Sequence, residues 1–85
     1  QMGLLLCENE RLEEAIPHFQ RAIEVNPRFA PAHFNLGGCF LRLQRFEEAE
    51  VSLRRAEQLW SEKGDAFSRE WLKRTRSTLA EIERM

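Results

Sequence analysis

The sequence predicts an all-α fold of five antiparallel helices, two helical hairpins followed by one capping helix. Three observations lead there. Aligned with itself at an offset of 34, the chain gives seven identities over residues 1–29: Gly3/Gly37, Arg11/Arg45, Glu13/Glu47, Glu14/Glu48, Ala15/Ala49, Arg21/Arg55 and Ala22/Ala56. A period of this length marks a repeated supersecondary unit that cannot bury its apolar face alone. Within each unit the apolar residues recur at helical spacing, and after Trp60 the repeat gives way to a single amphipathic stripe.

In the first unit, Leu12, Ala15, Ile16, Phe19, Ala22 and Ile23 form a continuous stripe at 3.6 residues per turn, the mark of a helix lying on a partner. Asn9 is placed to cap that helix, and Asn26-Pro27 ends it, because the residue before a proline is pushed out of the α region. Pro17 lies inside it and predicts a kink, since proline removes one backbone hydrogen bond. Pro31 suits the first turn of the next helix, which carries Ala32, Leu36, Phe40 and Leu43 inward. In the second hairpin Phe46, Ala49, Leu53 and Ala56 repeat the stripe, but Glu50 and Glu57 replace Ile16 and Ile23 and narrow it. A more polar outer side suits the last unit of a stack. Small residues at Gly3, Gly37, Ala15, Ala22, Ala49 and Ala56 allow close helix approach. Ser61 to Asp65 reads as a turn with a cap, after which Phe67, Trp71, Leu72, Thr75, Leu79 and Ile82 form the last stripe. The domain reading is thus a single unit over 1–85, with a first repeat at 1–29, a second at 30–63 and a capping helix at 64–85. The chain starts at Gln1 inside an apolar pattern, so the first repeat is expected to be truncated and the chain to be a piece of something longer.

Bulk composition excludes several function classes. Thirteen Lys+Arg balance fourteen Asp+Glu, so no global field favours nucleic acid or a membrane surface. The longest apolar run, Leu4 to Cys7, is far short of a membrane span, and no signal peptide is visible. Cys7 and Cys39 form no CxxC and have no His at ligand spacing, so neither a metal nor a disulfide framework is expected; a reducing, cytoplasmic setting is. His18 and His33 lack an acid or thiol positioned to build a catalytic pair. Glu13-Glu14 and Glu47-Glu48 point in different directions on a helix and suit helix N-termini, where negative charge meets the dipole. The expectation is a chain that is not an enzyme, with no catalytic residues, no metal and no cofactor.

The residues resemble the tetratricopeptide repeat family. The second unit carries Asn35-Leu36-Gly37, Phe40, Phe46-Glu47-Glu48-Ala49, Leu53 and Ala56, with Ser61 where the family's closing proline stands. The first carries Met2-Gly3, Leu6, Leu12-Glu13-Glu14-Ala15, Phe19, Ala22 and the closing Asn26-Pro27. The resemblance covers about residues 1–63. It implies a right-handed α-α superhelix whose first helices line a concave groove that holds an extended peptide or partner helix. On that arrangement the groove would carry Leu4, Cys7, Phe34, Asn35, Gly38, Leu41 and Arg42, joined by Arg69, Leu72 and Arg76 from the final helix. Some members clamp acidic tails of chaperones; Asn35 and Arg69 match two positions of that clamp, whereas Leu4 and Asp65 depart from it. His33 stands where the family often has an aromatic, so packing is expected of it, and His18 is expected on a solvated face.

Asn35 offers an amide for a peptide backbone, and Phe34 and Leu41 offer apolar anchors. The expected function is a scaffold or adaptor module for a protein or peptide partner. The alternative is a C-terminal capping segment of a longer array that mainly stabilises or dimerises it. For that alternative Trp60, Phe67 and Trp71 are the candidate cap or self-association residues, since an exposed apolar end seeks a second copy and pairing by a twofold axis is the commonest solution.

Overall fold

The computed structural model describes the backbone of residues 2–84 and the side chains of residues 11–84. Four helices follow one another among the described residues: α1 (Met2–Val25), α2 (Ala30–Arg42), α3 (Phe46–Lys63) and α4 (Ala66–Arg84). Consecutive helices pack on one another, α1 on α2, α2 on α3 and α3 on α4. Their connections are only a few residues long, which makes neighbours run antiparallel.

Four helices rather than five is a correction, and it concerns the first hairpin. The chain passes from residue 2 to Val25 as one helix, through Asn9 and through Pro17. The segment Glu8-Asn9-Glu10-Arg11 contains neither Gly nor Pro, so nothing in the backbone forbids the helix from continuing. Glu13 and Glu14 therefore lie mid-helix, whereas Glu47 and Glu48 do occupy the first turn of α3.

The turns show why the other helices stop. Phe29 donates its N–H to the Asn26 carbonyl at 3.1 Å, and Arg28 donates to Asn26 Oδ1 at 3.3 Å, so Asn26-Pro27 opens a turn closed by both backbone and side chain. Pro31 falls in the first turn of α2, where its missing N–H leaves no bond unmade. At the end of α2, Arg45 N–H reaches the Phe40 carbonyl at 2.8 Å and Gln44 N–H reaches the Leu41 carbonyl at 3.0 Å, a Schellman pair. Gln44 supplies the left-handed residue that this closure requires, with φ of 63°. Gly64 does the same for α3 with φ of 70°, donating to the Trp60 carbonyl at 3.2 Å. Ser61 to Lys63 are helical, so the turn before α4 is shorter than the five residues expected and consists of Gly64-Asp65 alone.

Asp65 caps α4, its Oδ1 accepting the Ser68 N–H at 2.7 Å. That bond, together with one from the Ser68 side chain, holds the Asp65 carboxyl below its ordinary range. A group whose pKa is depressed in the folded state contributes stability above its unfolded value, about pH 4, and loses it as pH falls through the folded one. Asp65→Asn keeps an acceptor at the cap and is expected to flatten the acid limb of a stability profile below pH of about 4. An unchanged acid limb, read by far-ultraviolet circular dichroism, would mean the cap is not formed in solution.

The core has two parts. One gathers Ile16 of α1, Leu36, Cys39 and Phe40 of α2, Ala49 and Leu53 of α3, and Leu79 and Ile82 of α4. The other gathers Ala30, Ala56, Leu59 and Trp60, with Phe34, Trp71 and Leu72 against them. Small residues do what the repeat requires of them. A Cβ at Gly37 would lie 2.7 Å from Leu53 Cγ and 3.3 Å from the Ala49 carbonyl oxygen, so α2 and α3 touch at a point where no side chain fits. His33 is buried, with Nε2 2.9 Å from the Pro27 carbonyl, so that nitrogen carries the proton and ties α2 to the turn before it. His18 is exposed, as expected. Thr75 is fully buried and turns its hydroxyl back to the Trp71 carbonyl at 2.7 Å, which satisfies it within its own helix.

α4 enters differently from the expectation. Its buried residues Ser68, Thr75, Leu79 and Ile82 put Ser68 and Thr75 in the places that His33 and Phe40 hold in α2, an offset of 35 instead of 34. One residue of helix is about 100° of rotation. Phe67, expected on the inward stripe, is consequently 65% exposed. The cause lies in the preceding turn: Trp60-Ser61 stands where the first repeat has Asn26-Pro27, nothing stops α3 there, and it runs one more turn before Gly64 ends it.

Candidate functional site

Two adjoining hollows lie along α2, and they share Phe34 and Asn35. The first, about 170 Å³, is lined by Pro31, Phe34, Asn35, Trp60, Phe67 and Trp71, drawn from α2, α3 and α4. The second, about 250 Å³, runs on toward the C-terminal end of α2, with Leu12 and Phe19 of α1 on one side and Gly38, Cys39 and Arg42 beyond Asn35. Helical spacing explains the continuity. Pro31, Asn35, Gly38 and Arg42 succeed one another at four, three and four residues, so they form one exposed edge of α2.

The walls of the first hollow are four aromatic rings. Trp60 and Trp71 stack, with centroids 5.8 Å apart and planes 20° from parallel. Phe34 meets Trp71 edge-on at 5.4 Å and Trp60 at 5.6 Å, and Phe67 leans on Trp71 at 6.2 Å. These are the offset and edge-to-face geometries that aromatic quadrupoles favour. Arg74 lies over the Trp71 ring at 5.0 Å, on the flank of α4 that faces α2.

The Asn35 side chain is exposed and makes no hydrogen bond with the described residues, so its amide oxygen and nitrogen are both free to engage a ligand. Arg42 is exposed at the far end of the strip and pairs with no carboxylate among the described residues. It lies close enough to the buried Cys39 to matter electrostatically: burial pushes that thiol up, and the guanidinium partly offsets the effect.

The residues expected in the groove divide into those the structure brings together and those it does not. Phe34, Asn35, Gly38 and Arg42 line the two hollows. Leu41 is half-buried against the core beside it. Arg76 turns the other way and pairs with Glu57 of α3 at 3.2 Å. Arg69, seven residues earlier, and Leu72, between them, share that flank, so these three do not line the hollows with Asn35. In their place stand Trp71 and Phe67, which sequence reasoning assigned to a cap or a self-association surface, together with Trp60. The 100° rotation of α4 accounts for the exchange. The available signal was the absence of a helix stop at Trp60-Ser61. The Leu4 side chain, and that of Cys7, lie outside the described residues.

Among the described residues no three His, Cys, Asp or Glu gather as a metal site would require, and no helix is long and apolar enough to cross a membrane. A larger open depression, about 620 Å³, lies between α1 and α3 over His33 and Leu36, with Val51, Arg55 and Gln58 at its rim.

Comparison with known proteins gives two results. The sequence model of the tetratricopeptide repeat matches residues 1–63. A UDP-N-acetylglucosamine--peptide N-acetylglucosaminyltransferase of Giardia intestinalis is 32% identical over 66 residues, which is 78% of this chain and 4% of that protein. No solved structure matches the chain.

Proposed function

Because the chain belongs to the tetratricopeptide repeat family, whose repeats mediate protein–protein interaction, we propose that it holds an extended peptide in the strip along α2. The observation that carries this reading is the continuity of the two hollows through Phe34 and Asn35. An extended peptide presents backbone N–H and C=O groups along its length, and the outward amide of Asn35 is able to engage one of each. The hollows on either side take side chains that point down from the peptide. The right-handed coiling of the hairpins, like the scaffold or adaptor role, belongs to this reading.

The relative's name carries a transferase activity and a peptide substrate. This chain spans about 4% of that protein's length, and among its described residues there is no paired nucleophile and base. The reading therefore takes from the relative only the repeat.

The test is selection of a random peptide library against the immobilised chain, followed by titration of the enriched peptides. Asn35→Ala changes an exposed side chain and is expected to leave stability within about 0.5 kcal/mol. It is expected to weaken the selected peptides about tenfold, the cost of leaving a buried backbone group unpaired. Arg69→Ala, on the flank turned to α3, is expected to leave affinity unchanged. Peptides indifferent to Asn35→Ala would remove the groove from consideration.

A second reading, capping, is supported by the outward side of α4. Glu70, Lys73, Ser77, Glu81 and Arg84 all face solvent there, so α4 closes the apolar side of α3 with a charged surface. Capping and peptide binding are compatible, since Trp71 serves both.

A further inference from the structure

We propose that the aromatic hollow between α2, α3 and α4 is a subsite for one proline of the bound peptide, and that the peptide carries a carboxylate three residues from that proline, held by Arg42. The inference rests on the reading of the strip as a peptide groove and names what the groove selects.

Size comes first. About 170 Å³ is close to the roughly 150 Å³ of an apolar cavity that accepts one benzene, so the hollow takes a single compact ring or branched side chain. Its lining is four aromatic rings, the ring of Pro31 and one amide, with no charged side chain. Proline suits that lining better than a flexible aliphatic chain. Its ring is flat enough to lie against aromatic faces, and it brings no N–H that would be buried without a partner. An extended polyproline-type segment is also ordered before binding, which reduces the entropy lost. Ring faces would equally attract a cation, but Arg74 already lies over Trp71 and Arg42 stands at the end of the same strip. Two fixed positive charges disfavour a third.

Charge then sets the second half of the motif. Of the residues that line the two hollows, Arg42 alone is charged. Asn35 and Arg42 are seven residues apart on α2, about 10 Å at 1.5 Å per residue. A polyproline-type segment advances about 3.1 Å per residue with three residues per turn, so the third residue on lies about that far along and on the same side of the peptide. A peptide with proline in the hollow thus brings the side chain three positions away over the guanidinium, where a carboxylate forms a charge-assisted pair. Either chain direction satisfies the spacing.

The chain reports on this site by itself. It has two Trp and no Tyr, and both Trp line the hollow. Intrinsic fluorescence is therefore read during titration with capped synthetic peptides: one with Pro and Glu three apart, in both orders, and versions with Ala or Leu for Pro and with Lys for Glu. The expected result is a saturable change, with the Pro–Glu peptide in at least one order binding at least tenfold more tightly than the Ala, Leu and Lys versions. Phe67→Ala, at an exposed ring, is expected to erase the preference for Pro, and Arg42→Glu to reverse the preference for Glu over Lys. If all versions bind alike and all weaken on Asn35→Ala, the groove stands and the proline subsite is overturned. Tighter binding of the Leu version overturns it too. If none binds and a random library yields no peptide sensitive to Asn35→Ala, both readings fail.

Discussion

Leu53→Ala is expected to destabilise the chain by about 3–5 kcal/mol, the upper part of the range for large-to-small changes in a core. Leu53 is 1% exposed and sits where α2, α3 and α4 meet, so the walls of the resulting cavity belong to three helices and collapse poorly. For a domain of this length each kcal/mol lowers the melting temperature by about 4–8 °C, and total stability is about 5–15 kcal/mol. The variant should therefore melt about 12–40 °C lower, which thermal and urea titrations followed by circular dichroism measure directly. A double-mutant cycle with Gly37→Ala sharpens the test. In the native background a methyl at Gly37 meets Leu53 Cγ and Cδ2 at 2.7 and 2.9 Å, which costs about 1–3 kcal/mol of overpacking against a gain of about 1 kcal/mol in helix propensity. In the Leu53→Ala background those atoms are gone, and the same methyl should stabilise. Additive effects of the two changes would show that the helices do not meet at this point.

Trp60→Ala is the second large effect, about 3–5 kcal/mol. Trp60 is 3% exposed and touches Phe34 of α2 and Trp71 of α4, so it is the ring through which α4 is fixed to the hairpin. The loss should fall unevenly. Hydrogen exchange is expected to show α4 amides opening first, with those of α2 and α3 protected until global unfolding. Phe67→Ala makes the contrast, because its exposed ring contributes one contact at the edge of the cluster. Protection of α4 that survives Trp60→Ala would mean that Leu79 and Ile82 hold the helix by themselves.

Much of this architecture was legible in the sequence, for identifiable reasons. Ala49, Ala56 and Gly37 had to be small at fixed spacing, and they lie where helices touch. Asn26-Pro27 and Gly64 act through backbone geometry, which depends little on neighbours. What escaped were features decided between helices. The rotation of α4 follows from one extra turn of α3, and a single residue of register moves every side chain by about 100°. That rotation sent Arg69, Leu72 and Arg76 toward α3 and brought Trp71 beside Phe34 and Asn35. Ser68 and Thr75 are buried although hydroxyls read as surface, because Asp65 and the Trp71 carbonyl satisfy them locally. The unbroken α1 escaped for the opposite reason: Asn9 permits a turn without imposing one, and the second hairpin turns only by setting Gln44 in the left-handed region.

The charged outer side of α4 gives the molecule a direction. A solenoid lengthens by laying one more hairpin on an apolar edge, and here the edge beyond α4 is solvated while Leu12, Ala15 and Phe19 on α1 remain only half covered. The two edges therefore differ in polarity, and on the capping reading proposed above a neighbouring hairpin is laid on the α1 edge.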